Sequence, residues 1–206
     1  DYSLGGITLL CRFDGQRVTM ASQMSEADET VSSLYSVKSE QATMLSFDTY
    51  NYLVHYFGQP QGSMSDDPNG TLGGDYEFII SSASAERIEL KGKKYGNRIV
   101  MKALTEDQTW KQYLTKIKKV EDDAFFYEYD LLMDGLYTGQ MIRSNYTFIL
   151  TYYDEIGKVH QKTVPFMFTA DGLRFHEPVT IDGQTMQNFV WKNELISFVC
   201  TDEGAT

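Results

Sequence analysis

The chain has 206 residues, 42% of them hydrophobic and 23% charged, and a formal net charge of −11 at pH 7. That length suits one large β-rich domain or two small ones, with enough chain to bury a substantial core. The acidic balance argues against a nucleic-acid partner, since no Lys/Arg excess is available to displace counterions from phosphate, and no apolar run reaches the ~18 residues a spanning helix needs.

The chain opens on Asp1 without a signal sequence or initiator Met and is read as a mature or trimmed form. Residues 7–13 and 17–21 are short strand-like runs around "FDGQRV", an Asp-Gly hairpin signal. Strand-like runs at 31–37 and 43–47 follow. The stretch "SFDTYNYLVHYFGQP", residues 46–60, changes period. Tyr50, Leu53, Val54 and Phe57 fall at i, i+3, i+4 and i+7, Asp48 is spaced to cap, Phe47 and Tyr52 to form a staple, and Gly58 and Pro60 to stop a helix over 49–57. Its other side carries Asn51, Tyr52, His55 and Tyr56. They read either as a helix shoulder lying over a sheet or as the polar–aromatic wall of a pocket, and they are the candidate ligand-binding residues.

"GQPQGSMSDDPNGTLGG", residues 58–74, reads as a long exposed loop. Strands resume at 76–81, 87–90 and 98–102. A second helix is expected over 106–119. Thr105 and Gln108 are spaced as a capping box, and Trp110, Tyr113 or Leu114, Ile117 and Val120 form a stripe that places Trp110 in the core. Further strands read at 125–132, 146–153, 158–169, 173–175, 185–191 and 196–200. "RIELKGKKYGNRIVMKAL" and "GLRFHEPVTIDGQTMQNFVW" share one plan, each preceded by a strand, "YEFIIS" or "VPFMFT". The expected fold is therefore mostly β (α+β): an antiparallel barrel-like or sandwich structure built from two related halves, 1–104 and 105–206, packed as one body, with two short helices.

"LSFDTYNYLVHYF", "GGDYEFII", "ELKGKKYGNRIVM" and "FTADGLRF" are similar to motifs of a Bacteroides-type lipoprotein family, the domain of unknown function 4302 family. The resemblance runs from about Gly5 to Asp202. It implies export, lipid anchoring through a Cys upstream of this sequence, and a place at the outer membrane or cell surface among nutrient-uptake proteins. It carries no activity and no site residue.

The chemistry is then sought in the residues themselves. Cys11 and Cys200 read as buried free thiols in preference to a disulfide, and no basic neighbour activates them. His55, His160 and His176 have no metal-ligand spacing, no nucleophile elbow or phosphate loop is present, and no catalytic residue, metal or cofactor is assigned. "DDPNG" at 66–70 lacks the ligand register of a calcium loop. Glu77, Glu89, Glu128 and Asp130 lie in strand-like runs, where paired carboxylates could serve a hydrolase. The 14 Tyr and 12 Phe residues instead favour a non-catalytic binding or accessory module for a glycan, peptide or small nutrient, with docking to an outer-membrane uptake complex as a further alternative.

Overall fold

The computed structural model describes residues 5–39, 42–58, 72–104, 108–154 and 156–204. The chain divides into two compact units, Leu9–Trp110 and Lys111–Thr206, the second also taking Gly5–Thr8 among the described residues. Each is a seven-stranded antiparallel meander in which every strand pairs with its neighbours in sequence.

The first unit comprises β1 (Leu9–Asp14), β2 (Arg17–Ser22), β3 (Val31–Ser39), β4 (Thr43–Phe47), α1 (Tyr52–His55), β5 (Glu77–Ala83), β6 (Arg87–Gly92) and β7 (Arg98–Lys102). Alternation supplies its core. Val18 and Met20 of β2, Leu45 and Phe47 of β4, Phe78 of β5 and Leu90 of β6 are buried together, and Leu53 and Val54 of α1 close over them. The second unit opens on α2 (Trp110–Asp123) and continues through β8 (Glu128–Met133), β9 (Leu136–Ser144), β10 (Thr147–Tyr153), β11 (Val159–Phe168), β12 (Gly172–Ile181), β13 (Gln184–Lys192) and β14 (Ser197–Cys200). Leu114, Ile117 and Val120 form the buried stripe of α2. An aromatic core runs through the sheet, with Phe148 stacked on Phe166 at 4.3 Å and Phe168 edge-on to Phe166. The side chain of Gln184, at the β12–β13 turn, donates to Asp134 at the β8–β9 turn, four strands away across the sheet. That contact requires the sheet to curl, and both sheets are curled half-barrels.

The mostly β, two-halved architecture is the one the sequence predicts, but several elements differ. The first helix is a single turn, Tyr52–His55, capped by Asn51 rather than Asp48. The reason lies in the preceding residues. Asp48 N–H donates to the Leu34 carbonyl and Leu34 N–H donates to Thr49 Oγ1, so the chain still runs along β3 where the helix was expected to begin. Tyr50, expected in the core, is 61% exposed as a result. The second helix continues to Asp123, where Lys119 and Asp123 form an i, i+4 pair. Trp110 is half-buried under the Arg12 guanidinium, 5.8 Å from its ring, rather than a core anchor. The expected capping residue Thr105, the calcium-like "DDPNG" and most of the 58–74 loop lie outside the described residues.

Strand β9 has no counterpart in the predicted elements. It leaves β8 through Asp134 and Gly135, both at positive φ (52° and 74°), the geometry of a two-residue hairpin. Gly139 within it obscures the strand signal but serves the sheet: a Cβ there would lie 2.3 Å from the Thr151 carbonyl oxygen of β10. The internal sequence correspondence is also one strand out of step. It aligns β5–β7 with β11–β13, whereas sheet order matches β5–β7 with β12–β14. Cys11 and Cys200 are free, and each is half-buried rather than fully buried.

Candidate functional site

The residues with most exposed aromatic surface around α1 are held by backbone hydrogen bonds between three segments. Gly74 N–H donates to Phe57 O at 2.8 Å, and Phe47 N–H donates to Tyr76 O at 3.0 Å. Asp75, buried, organises the β6–β7 turn. Its carboxylate accepts from the N–H groups of Lys94 (2.7 Å), Tyr95 (3.1 Å) and Asn97 (3.3 Å) and from the Asn97 side chain (2.8 Å). The 72–76 segment and the 93–97 turn are thereby fixed against each other, with Tyr76 and Tyr95 projecting from them.

On this frame His55 stacks on Tyr76, ring centroids 5.0 Å apart and planes 17° apart. Tyr50 packs on the same imidazole at 5.5 Å. His55 is itself tied down: its Nδ1 lies 3.2 Å from the Asn51 nitrogen and 3.0 Å from the Asn51 carbonyl oxygen, one or the other bond forming according to tautomer. On the neighbouring turn, Lys94 Nζ lies 4.6 Å from the centre of the Tyr95 ring. Contact with Tyr95, and then the fields of Tyr95, Tyr76 and Asp75, hold the Lys94 ammonium above its ordinary pKa. Tyr50, Tyr76 and Tyr95 are 61%, 46% and 41% exposed. The result is a surface row, Tyr50–His55–Tyr76, with the Tyr95–Lys94 pair on the turn that Asp75 holds against it.

The four residues singled out in the sequence separate here. His55 is a member of the row. Asn51 is fully buried and structural: its Oδ1 accepts from Leu53 N–H, and its Nδ2 donates to Ser33 Oγ at 3.2 Å. Tyr52 is half-buried and donates to Glu29 at 2.6 Å, a bond that holds the phenol above its usual pKa. Tyr56 packs edge-on against Phe57. The pattern missed Tyr50, Tyr76 and Lys94 as site residues. One signal was available for the neighbouring turn: Tyr95 in "KKYGN" sits among turn formers with no apolar partner in its own segment.

The carboxylates considered for hydrolysis fall two in each unit. Glu77 pairs with Lys93, and Glu89 with Arg87 and Arg98, in the first unit. In the second, Glu128 accepts from the Gln140 amide and Asp130 is exposed. The hydrogen bond from Arg87 leads the interactions that hold Glu89 below the ordinary carboxylate range, opposite to the shift that suits a general acid. Among the described residues no group of three or more His, Cys, Asp or Glu side chains could hold a metal ion. Burial pushes the Cys11 thiol up to about 12, far from nucleophilic. No helix among the described residues is long and apolar enough to cross a membrane.

Two curled antiparallel sheets with an aromatic row beside α1 define a β-rich module. The chain belongs to the family described as a domain of unknown function, DUF4302, whose model matches residues 1–193. No curated protein and no solved structure matches it.

Proposed function

We propose that this protein is a non-catalytic binding module that holds a glycan on the row Tyr50–His55–Tyr76. The carrying observation is the stacked, rigid and solvent-exposed geometry of that row. Pyranose rings present C–H faces that pack on aromatic faces, and the phenol tips supply hydrogen bonds to ring hydroxyls. Because His55 is fixed by the Asn51 backbone and Tyr76 by Phe47, binding does not have to order them first. The resemblance of its motifs to Bacteroides-type lipoproteins supports an exported, lipid-anchored setting at the outer membrane or cell surface. Affinity electrophoresis against soluble plant, microbial and mucin-type polysaccharides tests the reading. Retention by at least one of them, lost in both Tyr50→Ala and Tyr76→Ala, is expected. Retention unchanged in both variants, or no retention by the wild type, would overturn it.

A second reading, docking to an outer-membrane uptake protein, is favoured by Phe125 and Tyr127, 78% and 71% exposed beside Phe126, which leans on Trp191. Co-purification of a defined uptake partner that is lost in Phe125→Ser/Tyr127→Ser, with glycan retention intact, would establish it.

A further inference from the structure

The chain carries a formal net charge of −11 at pH 7, yet one hairpin of the first unit presents a cationic face. Leu90 is buried, and Ile88, Ile99 and Met101 pack against the core. By alternation Arg87, Glu89 and Lys91 of β6 and Arg98, Val100 and Lys102 of β7 face outward. Lys91 stands directly opposite Arg98, and Arg87 directly opposite Lys102. Gly92 N–H donates to Asn97 O and Ala103 N–H to Glu86 O, so those two pairs are the hydrogen-bonded kind. Counting in from either end, both cation pairs are then of the non-hydrogen-bonded kind, in which opposed side chains come closest.

A single carboxylate stands among these four cations. Glu89 accepts from Arg87 at 2.8 Å and lies 3.6 Å from Arg98, taking one member of each pair. Lys91 and Lys102, both exposed, have no carboxylate partner among the described residues. The turn adds no spare acid, because Glu77 is held by Lys93. The face therefore keeps an excess of positive charge.

Like charges directly opposite one another weaken a strand pair. Strand β7 is the last of its sheet, and lysines commonly guard such an edge against unwanted pairing. That purpose needs charge on β7 alone. Cations on β6 opposite them work against the pairing that holds β7 in place, so guarding the edge does not account for them. The two pairs stand four residues apart, about 13 Å along the hairpin. One small anion cannot reach both, whereas a polymer with repeated acidic groups can.

We propose that the outer face of β6–β7 binds an acidic polysaccharide, a single uronate- and sulfate-bearing chain lying along the hairpin with anionic groups at the Lys91–Arg98 and Arg87–Lys102 pairs. Val100, exposed between Arg98 and Lys102, offers an apolar contact to the C–H face of a sugar ring. A planar anionic membrane or a duplex nucleic acid would extend past the hairpin over the rest of an acidic chain. A single polysaccharide chain meets the four cations alone, and at physiological salt charges more than about 8 Å away are screened. Leu53 and Val54 of α1 pack on the core side of this sheet, so the cationic face lies apart from the aromatic row and does not depend on it.

The test titrates the full chain with a chondroitin sulfate hexasaccharide and with the same hexasaccharide desulfated and methyl-esterified, which carries no charge. Backbone amide shifts are followed by NMR. Saturable shifts in β6 and β7 are expected with the charged probe, weakening as salt is raised, and affinity at least tenfold lower for the uncharged one. Lys91→Glu/Lys102→Glu should lose at least tenfold in affinity while its melting temperature stays at or above that of wild type, because the new carboxylates face Arg98 and Arg87. Lys162→Glu/Lys192→Glu makes the same charge change at exposed sites of the second unit and should leave binding unchanged. If the reversed variant fails to fold, Lys91→Gln/Lys102→Gln and the uncharged probe carry the test. Equal binding of the two probes, an equal loss in the second-unit variant, or shifts at Tyr50, His55 and Tyr76 in place of the hairpin would overturn the proposal. So would tighter binding to phosphatidylserine vesicles or single-stranded DNA, self-association that the reversed variant abolishes, or no binding at millimolar hexasaccharide.

Discussion

Asn51 and His55 stand one helical turn apart and do different work. Asn51 caps α1 from full burial and bonds to Ser33, so Asn51→Ala leaves buried polar groups unpaired and should cost about 1–3 kcal/mol. Leu53, also buried, should cost about 2–5 kcal/mol as Ala. His55→Ala, on the surface row, should stay within about 1 kcal/mol of wild type. Urea melts of the three variants check the ranking, and a His55 variant as unstable as the Asn51 variant would contradict it. Ile196 is the opposite case. It is β-branched, 63% exposed and held at a φ of 51° in the β13–β14 turn, so it strains the backbone while packing little. Ile196→Asn should raise stability by about 1 kcal/mol in the same melts, and a loss would count against the strain.

At the scale of elements, the sheet was legible where alternation and turn chemistry agree, as in β4 and β7, whose ends the structure reproduces. It was not legible where one residue type serves two purposes. Gly139 reads as a break in β9 because sequence spacing does not show that β10 must approach there. Asp48 and Thr49 read as the start of a helix because both residues cap well, yet a non-local bond to Leu34 takes them. The aromatic row was half visible for the same reason: His55 lies in the aromatic stretch, but Tyr76 reaches it only through the pairing of segments far apart in the chain. One element junction gives a pH prediction. Asp202 fastens β14 to β13 by accepting from the N–H groups of Gln187 and Asn188 and from the Asn188 amide. Burial alone would raise its pKa, but these hydrogen bonds outweigh it and hold the carboxyl below its ordinary value. A depressed folded pKa contributes stability that is complete above the unfolded value of about 3.9 and is lost as pH falls toward the folded value. Denaturant melts between pH 7 and pH 3 should therefore show wild type losing more stability on acidification than Asp202→Asn, and parallel losses would contradict the assignment.

For the whole molecule, topology places the exposed chemistry. In the first unit, Tyr50, Tyr76 and Tyr95 are exposed outside the strands, at the segments beside α1 and the β6–β7 turn. On the proposed reading the row binds by stacking, so affinity should depend on a few rings and little on the rest of the surface. The most direct test compares two tyrosines of similar exposure. Tyr76 is 46% exposed within the row, and Tyr137 is 57% exposed on β9 in the second unit. For a polysaccharide retained by the wild-type protein in affinity electrophoresis, Tyr76→Ala should weaken retention at least tenfold while Tyr137→Ala leaves it unchanged. Equal losses in both variants, or a loss only in Tyr137→Ala, would contradict the assignment of the row as the binding site.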